Sequence, residues 1–272
     1  MKLNKLIYGV LTIFAFSSCA DQMDYSEYNP YDAGYVKRTF YDVGGLVSNI
    51  YQSLDSDFGN YSGAILGSAT DESQYSYTGN AIETFYNGSW SPVNAQSSMW
   101  TSSYKAIANC NNYLEEFTGL TFSEYEQISD YEAEMYRYNN YQYEVRFLRA
   151  YFYFELIKRY RNIPFVLDVL AQNEANGVNP ESYEKIAKFI VDECSDLAQI
   201  LPVNYDNFST KEKGRVTRAA AMALKSRVTL YMASPLFSED SEDKWKQAAE
   251  AAYDIIKQKT DLGLDLVPYP QI

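Results

Sequence analysis

The sequence of 272 residues contains no histidine. That absence removes His-dependent nucleophile triads, His-ligated metals and the commonest general base. Cysteine is scarce: three residues, Cys19, Cys110 and Cys194, cannot staple a domain of this size, and none has the Cys-x-x-Cys spacing of a redox or zinc site. No glycine-rich phosphate loop is present, and beyond the N-terminal leader no apolar run is long enough to cross a bilayer. Positive charge is also short, with 23 Lys and Arg against 36 Asp and Glu, a formal net charge of -13. So acidic a surface is a poor partner for nucleic acid or anionic headgroups, which attract basic patches. The residues therefore point to no cofactor, no metal and no nucleic-acid partner, and the catalytic chemistry left open is a carbohydrase built on Asp and Glu alone.

What is present begins with an export leader. In residues 1–18, MKLNKLIYGVLTIFAFSS, Lys2 and Lys5 precede an apolar run from Leu6 to Phe16 and two small residues before Cys19. This is a signal peptide, too short to span a bilayer as a mature helix. Phe16-Ser17-Ser18-Cys19 resembles a lipobox, which would make Cys19 the mature N-terminus and the site of lipidation. Several acyl chains, at about 0.8 kcal/mol per buried methylene, then anchor the protein without a transmembrane helix. Cleavage removes two lysines and no acid, so -13 becomes -15. Residues 19–38, rich in acids, Tyr, Asn and Pro without an apolar period, read as a tether to the folded part. Cys110 and Cys194 read as small buried hydrophobes on helices.

The folded part, residues 39–272, reads as mainly α. Apolar residues at three-to-four spacing predict helices over 39–54, 99–117, 181–201, 214–233 and 241–257. Gly44 and Gly45 would each weaken the first by roughly 1 kcal/mol relative to Ala, so close helix contact is the expected reason for them. Trp100 is expected in the core. Ser123 and Glu126 suggest a capping box, the segment to Asn140 has a weak period that suggests a break, and Asn179-Pro180 reads as a helix start. Thr217 reads as an N-cap. Ala219, Ala220, Ala223, Ser226 and Leu230 are expected to form a close-packed seam, and Trp245, Ala248, Ala249, Ala252, Ile255 and Ile256 another.

The hub is 143–166, YEVRFLRAYFYFELIKRYRNIPFV, apolar around most of a helical circumference and therefore buried. Arg146 and Arg149 must be paired there, with Glu144, Glu155 or carbonyls of neighbouring turns, because an unpaired buried guanidinium costs several kcal/mol. The helix should stop by Pro164.

Residues 55–98 lose the helical period and are rich in Gly, Ser, Asn and aromatics. A loop this long is usually functional or disordered, and its aromatics argue against disorder. Sugar rings have apolar C–H faces ringed by hydroxyls, so a glycan site combines an aromatic platform with carboxylates and amides. Trp90 is the candidate platform, and Asp71, Glu72, Asn80 and Asn87 the candidate hydrogen-bonding partners. The competing reading is scaffold, with Trp90 sealing the helical layer and Asp71 capping a turn. Asp71 and Glu72 are not read as catalytic, because adjacent residues point apart whereas glycosidase carboxylates face one another about 5 to 9.5 Å apart.

The pattern E-x-R-F-L-R-A-x-x-Y-F-x-L, from Glu144 to Leu156, followed by a basic-aromatic step and x-P-x-V, resembles the most characteristic segment of the SusD/RagB family. These are outer-membrane lipoproteins of Bacteroidetes that capture glycans for a TonB-dependent transporter. Trp100, Tyr104, Ile107 and Asn111 resemble its W-x-x-x-Y-x-x-I-x-x-x-N helix, and Ala69-Thr70-Asp71-Glu72 its recurring T-D-E step. The acids after Cys19 resemble the start of surface-exposed lipoproteins in this phylum. The resemblance implies a SusD-like helical scaffold with tetratricopeptide-type helix pairs and a glycan face that includes the 55–98 loop region. It also implies a non-catalytic role, capturing oligosaccharide at the cell outer membrane beside a SusC-like partner. The alternative is a scaffold that contacts the transporter without a glycan site. The resemblance covers only the N-terminal portion of the family, so the C-terminal part is expected to be missing and the chain to be a truncated product.

Overall fold

The computed structural model describes residues 32–56, 61–96, 98–171, 173–205, 213–237 and 241–266. The leader 1–18, Cys19 and the tether up to residue 31 lie outside them, as do residues 267–272. The chain divides into two units, Met1–Arg38 and Thr39–Ile272. In the first, the tether contains one helical turn, α1 (Ala33–Val36), where Asp32 Oδ1 accepts from Tyr35 N at 2.8 Å.

The second unit is helical. Its α-helices are α2 (Phe40–Tyr51), α3 (Trp100–Glu116), α4 (Tyr131–Tyr160), α5 (Tyr183–Ile200), α6 (Arg218–Ala233) and α7 (Glu242–Lys257). Each helix from α3 to α7 packs on its neighbour in the chain, and α4 also receives α2. Caps set the boundaries: Thr39, Ser182 and Thr217 each accept from a backbone N–H in the first turn of α2, α5 and α6.

Helix α4 runs unbroken for 30 residues, about 45 Å at 1.5 Å per residue. The expected break before Tyr141 is absent, and the expected capping box is only a 3-10 turn, Ser123–Tyr125. Acids open α4 (Glu132, Glu134) and bases close it (Lys158, Arg159), matching the helix dipole. It stops at Arg161, a left-handed residue with φ 63°, whose guanidinium donates to the carbonyls of Leu236 and Phe237. Val145, Leu148, Phe152, Leu156 and Ile157 form its apolar core.

The arginines of α4 reach further than expected. Arg146 makes a two-pronged pair with Glu193 on α5, at 2.9 and 2.8 Å. Arg149 donates to Asn111 Oδ1 on α3 and to the Leu167 carbonyl. Glu144 takes instead the Tyr51 hydroxyl from α2 and Arg215 at 3.0 Å, while Glu155 is held by Lys158 and Arg159. Asn111 is saturated, its Nδ2 donating to the Val166 and Asp168 carbonyls. The chain leaving α4 is thereby stitched to α3.

Several local expectations change. Ile163–Pro164 (β1) pairs antiparallel with Pro180–Glu181 (β2), so Asn179-Pro180 does not start a helix; the Tyr183 N–H that opens α5 is taken by Asn162 Oδ1. Trp100 is 39% exposed, its ring tilted against Tyr104 and edge-on to Tyr160, because α3 turns Ser103, Ala106, Ile107 and Cys110 inward instead. Helix α6 buries Ala221, Leu224 and Val228 rather than Ala223 and Leu230, and α7 buries Ala248 and Ala251 while Trp245, Tyr253 and Ile256 stay exposed. Gly44 meets its expectation: a Cβ there would lie 2.8 Å from Tyr141 Oη. Gly45 faces open space. Cys110 and Cys194 are free and buried. Among the described residues no helix is long and apolar enough to cross a membrane.

Candidate functional site

The loop between α2 and α3 is built on short 3-10 turns. Leu66–Ala69 and Ala81–Phe85 pack together, and Ala64 and Ile82 are buried beneath the loop surface. Thr70 fixes the Thr70-Asp71-Glu72 step, since its hydroxyl donates to the Gly67 carbonyl at 2.8 Å and accepts from Glu72 N at 3.2 Å. Ser68 and Ser73 hydroxyls stand 3.3 Å apart across the same bend. The Asp71 and Glu72 carboxylates remain exposed, with no hydrogen bond or ion pair to any described residue.

Asn80 joins the second turn to the bend at Tyr61–Ala64. Its Oδ1 accepts from Ile82 N at 2.9 Å, capping the second turn, and its Nδ2 donates to the Ser62 carbonyl at 3.0 Å. One Nδ2–H is left for another acceptor. The Asn87 Oδ1 is occupied locally, accepting from Ser89 N and Oγ. Gly79 and Gly88, at φ 78° and 82°, supply the left-handed bends that flank this turn.

The aromatics form a braced row. Tyr61 meets Phe85 edge-on at 5.4 Å, and Phe85 meets Trp90 edge-on at 5.2 Å, so Trp90 is held from behind while 56% exposed. Trp90 is therefore not sealed into the helical layer. Tyr86, next in the chain to Phe85, is 52% exposed and lines an open cavity of about 440 Å³ with Asp71, Ser68, Thr70, Ser73 and Gln74. The structure thus gathers Asp71 with Tyr86 and sets Trp90 on the adjoining Phe85, whereas Glu72 and Asn80 lie outside that cavity lining. Tyr86 and Gln74 are the residues that sequence reasoning missed. The available signal was Tyr86 itself, an aromatic beside Phe85 that cannot share its side of so tight a turn.

Chemically this is a surface of hydroxyls, one amide, one carboxylate and two exposed rings. It can accept and donate hydrogen bonds around a ligand edge while a ring covers an apolar face. Among the described residues no cluster of three or more His, Cys, Asp or Glu side chains could hold a metal ion.

A model of a SusD-like family, described as "Starch-binding associating with outer membrane", matches residues 24–230. Among solved structures, a SusD-like carbohydrate-binding protein from Bacteroides fragilis is similar at 23% identity and a TM-score of 0.60, over 82% of this chain and 41% of its own. A SusD homologue from Bacteroides thetaiotaomicron is similar at 20% identity and a TM-score of 0.60, over 82% of this chain and 42% of its own. A laminarin-binding SusD-like protein is similar at 22% identity and a TM-score of 0.54, over 78% and 41%. The chain spans about two fifths of the length of these solved relatives. No curated protein matches.

Proposed function

The chain belongs to the SusD-like family, and from that premise we propose that it is a non-catalytic glycan-binding component of an outer-membrane polysaccharide uptake complex. It holds oligosaccharide for a SusC-like TonB-dependent transporter. In this reading Cys19 carries the lipid that tethers the protein to the outer membrane, with the body at the cell surface. Trp90 is the stacking platform, Asp71 and Glu72 accept from sugar hydroxyls, and Asn80 offers its remaining N–H.

The observation that carries the reading is the Trp90 ring, more than half exposed yet braced edge-on by Phe85, beside a polar cavity that contains Asp71. An exposed indole gains nothing for the fold by being held rigid. It does gain as a binding surface, because a pre-set ring loses little freedom when a sugar lies on it. The scaffold alternative is a chain that contacts the transporter without binding glycan.

Affinity electrophoresis in gels containing a panel of neutral polysaccharides separates the two. Retardation of the full chain by at least one polysaccharide, lost in Trp90→Ala at unchanged thermal stability, is the expected result. Equal retardation of wild type and variant removes Trp90 from the site, and no retardation by any polysaccharide favours the scaffold.

A further inference from the structure

The chain contains two Asn-Gly dipeptides, Asn87-Gly88 and Asn176-Gly177, and both are exposed. Asparagine before glycine can close on itself. The glycine nitrogen and the asparagine Cγ complete a five-membered ring, and glycine has no Cβ to crowd the approach. What the fold decides is whether that nitrogen is available and whether the side-chain carbonyl is prepared for attack.

The two sites differ on both counts. Gly177 N donates to the Glu174 carbonyl at 2.9 Å in the 3-10 turn Ala175–Gly177, so its attack would break a bond the fold already makes. Gly88 N donates to no described residue. Asn87 Oδ1 accepts from Ser89 N at 2.9 Å and from Ser89 Oγ at 2.6 Å, while its Nδ2 is bonded to no described residue. The Asn176 side chain has neither kind of donor among the described residues. The three-residue unit at Asn87 is also pinned at both ends. Asn87 N donates to the Glu83 carbonyl at 2.9 Å, and the Ser89 carbonyl accepts from Asn94 Nδ2 at 2.8 Å. Ser89 thus holds two donors at the oxygen where negative charge develops when Cγ is attacked, as an oxyanion hole does. The nitrogen that must attack and the amide that must leave are both unbonded.

We propose that Asn87-Gly88 is a self-modifying site, at which the folded loop converts Asn87 to an aspartyl or isoaspartyl residue without an enzyme. A solvent base takes the Gly88 N–H proton, the nitrogen bonds to Cγ, and the carbonyl π pair moves onto Oδ1 under the two Ser89 donors. That pair returns as the Cγ–Nδ2 bond breaks, and Nδ2 takes a proton from solvent and leaves as ammonia. Water then opens the cyclic imide at one of its two carbonyls. A neutral amide becomes a carboxylate beside Tyr86 and close in sequence to Trp90, and the isoaspartyl product lengthens the backbone there by one carbon. The inference is independent of the reading of this loop as a glycan surface.

The test is incubation of the full chain at pH 8, folded and in urea, followed by digestion and mass spectrometry of the peptides that carry Asn87 and Asn176. Isoaspartate is counted by enzymatic methylation. In folded protein Asn87 should convert at least about tenfold faster than Asn176, and in urea, where both sets of hydrogen bonds are gone, the two rates should agree within about threefold. Ser89→Ala deletes the Oγ donor and keeps the N–H. It should slow Asn87 about fivefold, because a hydrogen bond to a charged oxygen outweighs one to a neutral carbonyl by about that factor. Ser89→Thr, which retains the hydroxyl, should leave the rate unchanged. No conversion at Asn87, equal rates at the two sites in folded protein, a tenfold ratio that survives in urea, or a rate indifferent to Ser89→Ala overturns the proposal.

Discussion

Glu144 is fully buried in the middle of α4 and ties three separate parts of the chain together. It accepts from the Tyr51 hydroxyl at the end of α2 and from Arg215 Nη1 at 3.0 Å, just before α6. The Tyr51 hydroxyl also accepts from Val216 N at 2.9 Å. Burial first, and then the Glu144 charge, push the Tyr51 phenol far up from its ordinary value, so it stays protonated and donates. Glu144→Ala removes this acceptor from the Tyr51 hydroxyl and from the largely buried Arg215. Removing one partner of a buried pair costs about 3 to 5 kcal/mol. The lower end applies, because Arg215 keeps its place over the Tyr141 ring, 4.9 Å from the centroid. About 3 kcal/mol in a domain of this size corresponds to a fall in Tm of roughly 6 to 12 °C. Alanine is the best helix former, so intrinsic propensity works against the expected loss and cannot produce it. Thermal and urea unfolding followed by far-UV circular dichroism measure the effect, and a cycle with Arg215→Met isolates the pair. The double variant should lose at least about 1 kcal/mol less than the sum of the singles. Additive losses, or a loss below about 1 kcal/mol for Glu144→Ala, would show that the cluster does not hold α2, α4 and the approach to α6 together.

Four further outcomes can be measured, three from the structure and one from the sequence. Gly44→Ala should destabilise, because its Cβ would sit 2.8 Å from Tyr141 Oη under a buried ring, while Gly45→Ala, facing open space one residue away, should stabilise by about 0.5 to 1 kcal/mol; urea midpoints that move together for both would refute this contact. Burial pushes the Cys110 and Cys194 thiols from 9.0 up to about 12, so neither should react with a thiol reagent at pH 8 until the protein is unfolded. The folded state then binds more protons than the unfolded between about pH 9 and 12, so these thiols contribute stability that is complete below pH 9 and lost as pH rises through that window; a flat urea midpoint from pH 8.5 to 10.5 would contradict it. If Cys19 is lipidated, inhibiting lipoprotein signal peptidase in the native host should accumulate the uncleaved precursor, and unchanged processing would remove the anchor.

Helix existence was legible wherever apolar residues alone carry the buried face. Val43, Val47 and Ile50 announce α2, and Ile186, Ile190, Cys194 and Leu197 announce α5, each opened by a hydroxyl cap. The first third of α4 was not legible for a physical reason. Its inward face is polar, with Glu134 paired to Arg137 at 3.1 Å and Tyr138 bonded across to Phe117 and Leu120, so burial there leaves no apolar period to read. Arg146 and Glu193 are 47 residues apart, and nothing local marks them as partners. The α6 seam was misplaced by one position because alanines occupy 219, 220, 221 and 223 alike. Alanine hardly distinguishes one face from another, and the choice fell to Leu224 and Val228 on the side that packs.

The candidate site divides along the same line. The kinds of group in the loop could be read: an indole, carboxylates and amides in a stretch without helical period. Their availability could not, because that depends on which hydrogen bonds the fold has already used. Asn80 and Asn87 are chemically equal in sequence, yet one spans two turns with both ends of its amide and the other accepts twice from Ser89 through its Oδ1 alone. Trp90 and Trp100 are likewise equal in type. One is braced by a single ring and offers its face, and the other lies against two, tilted to Tyr104 and edge-on to Tyr160, at the start of a helix.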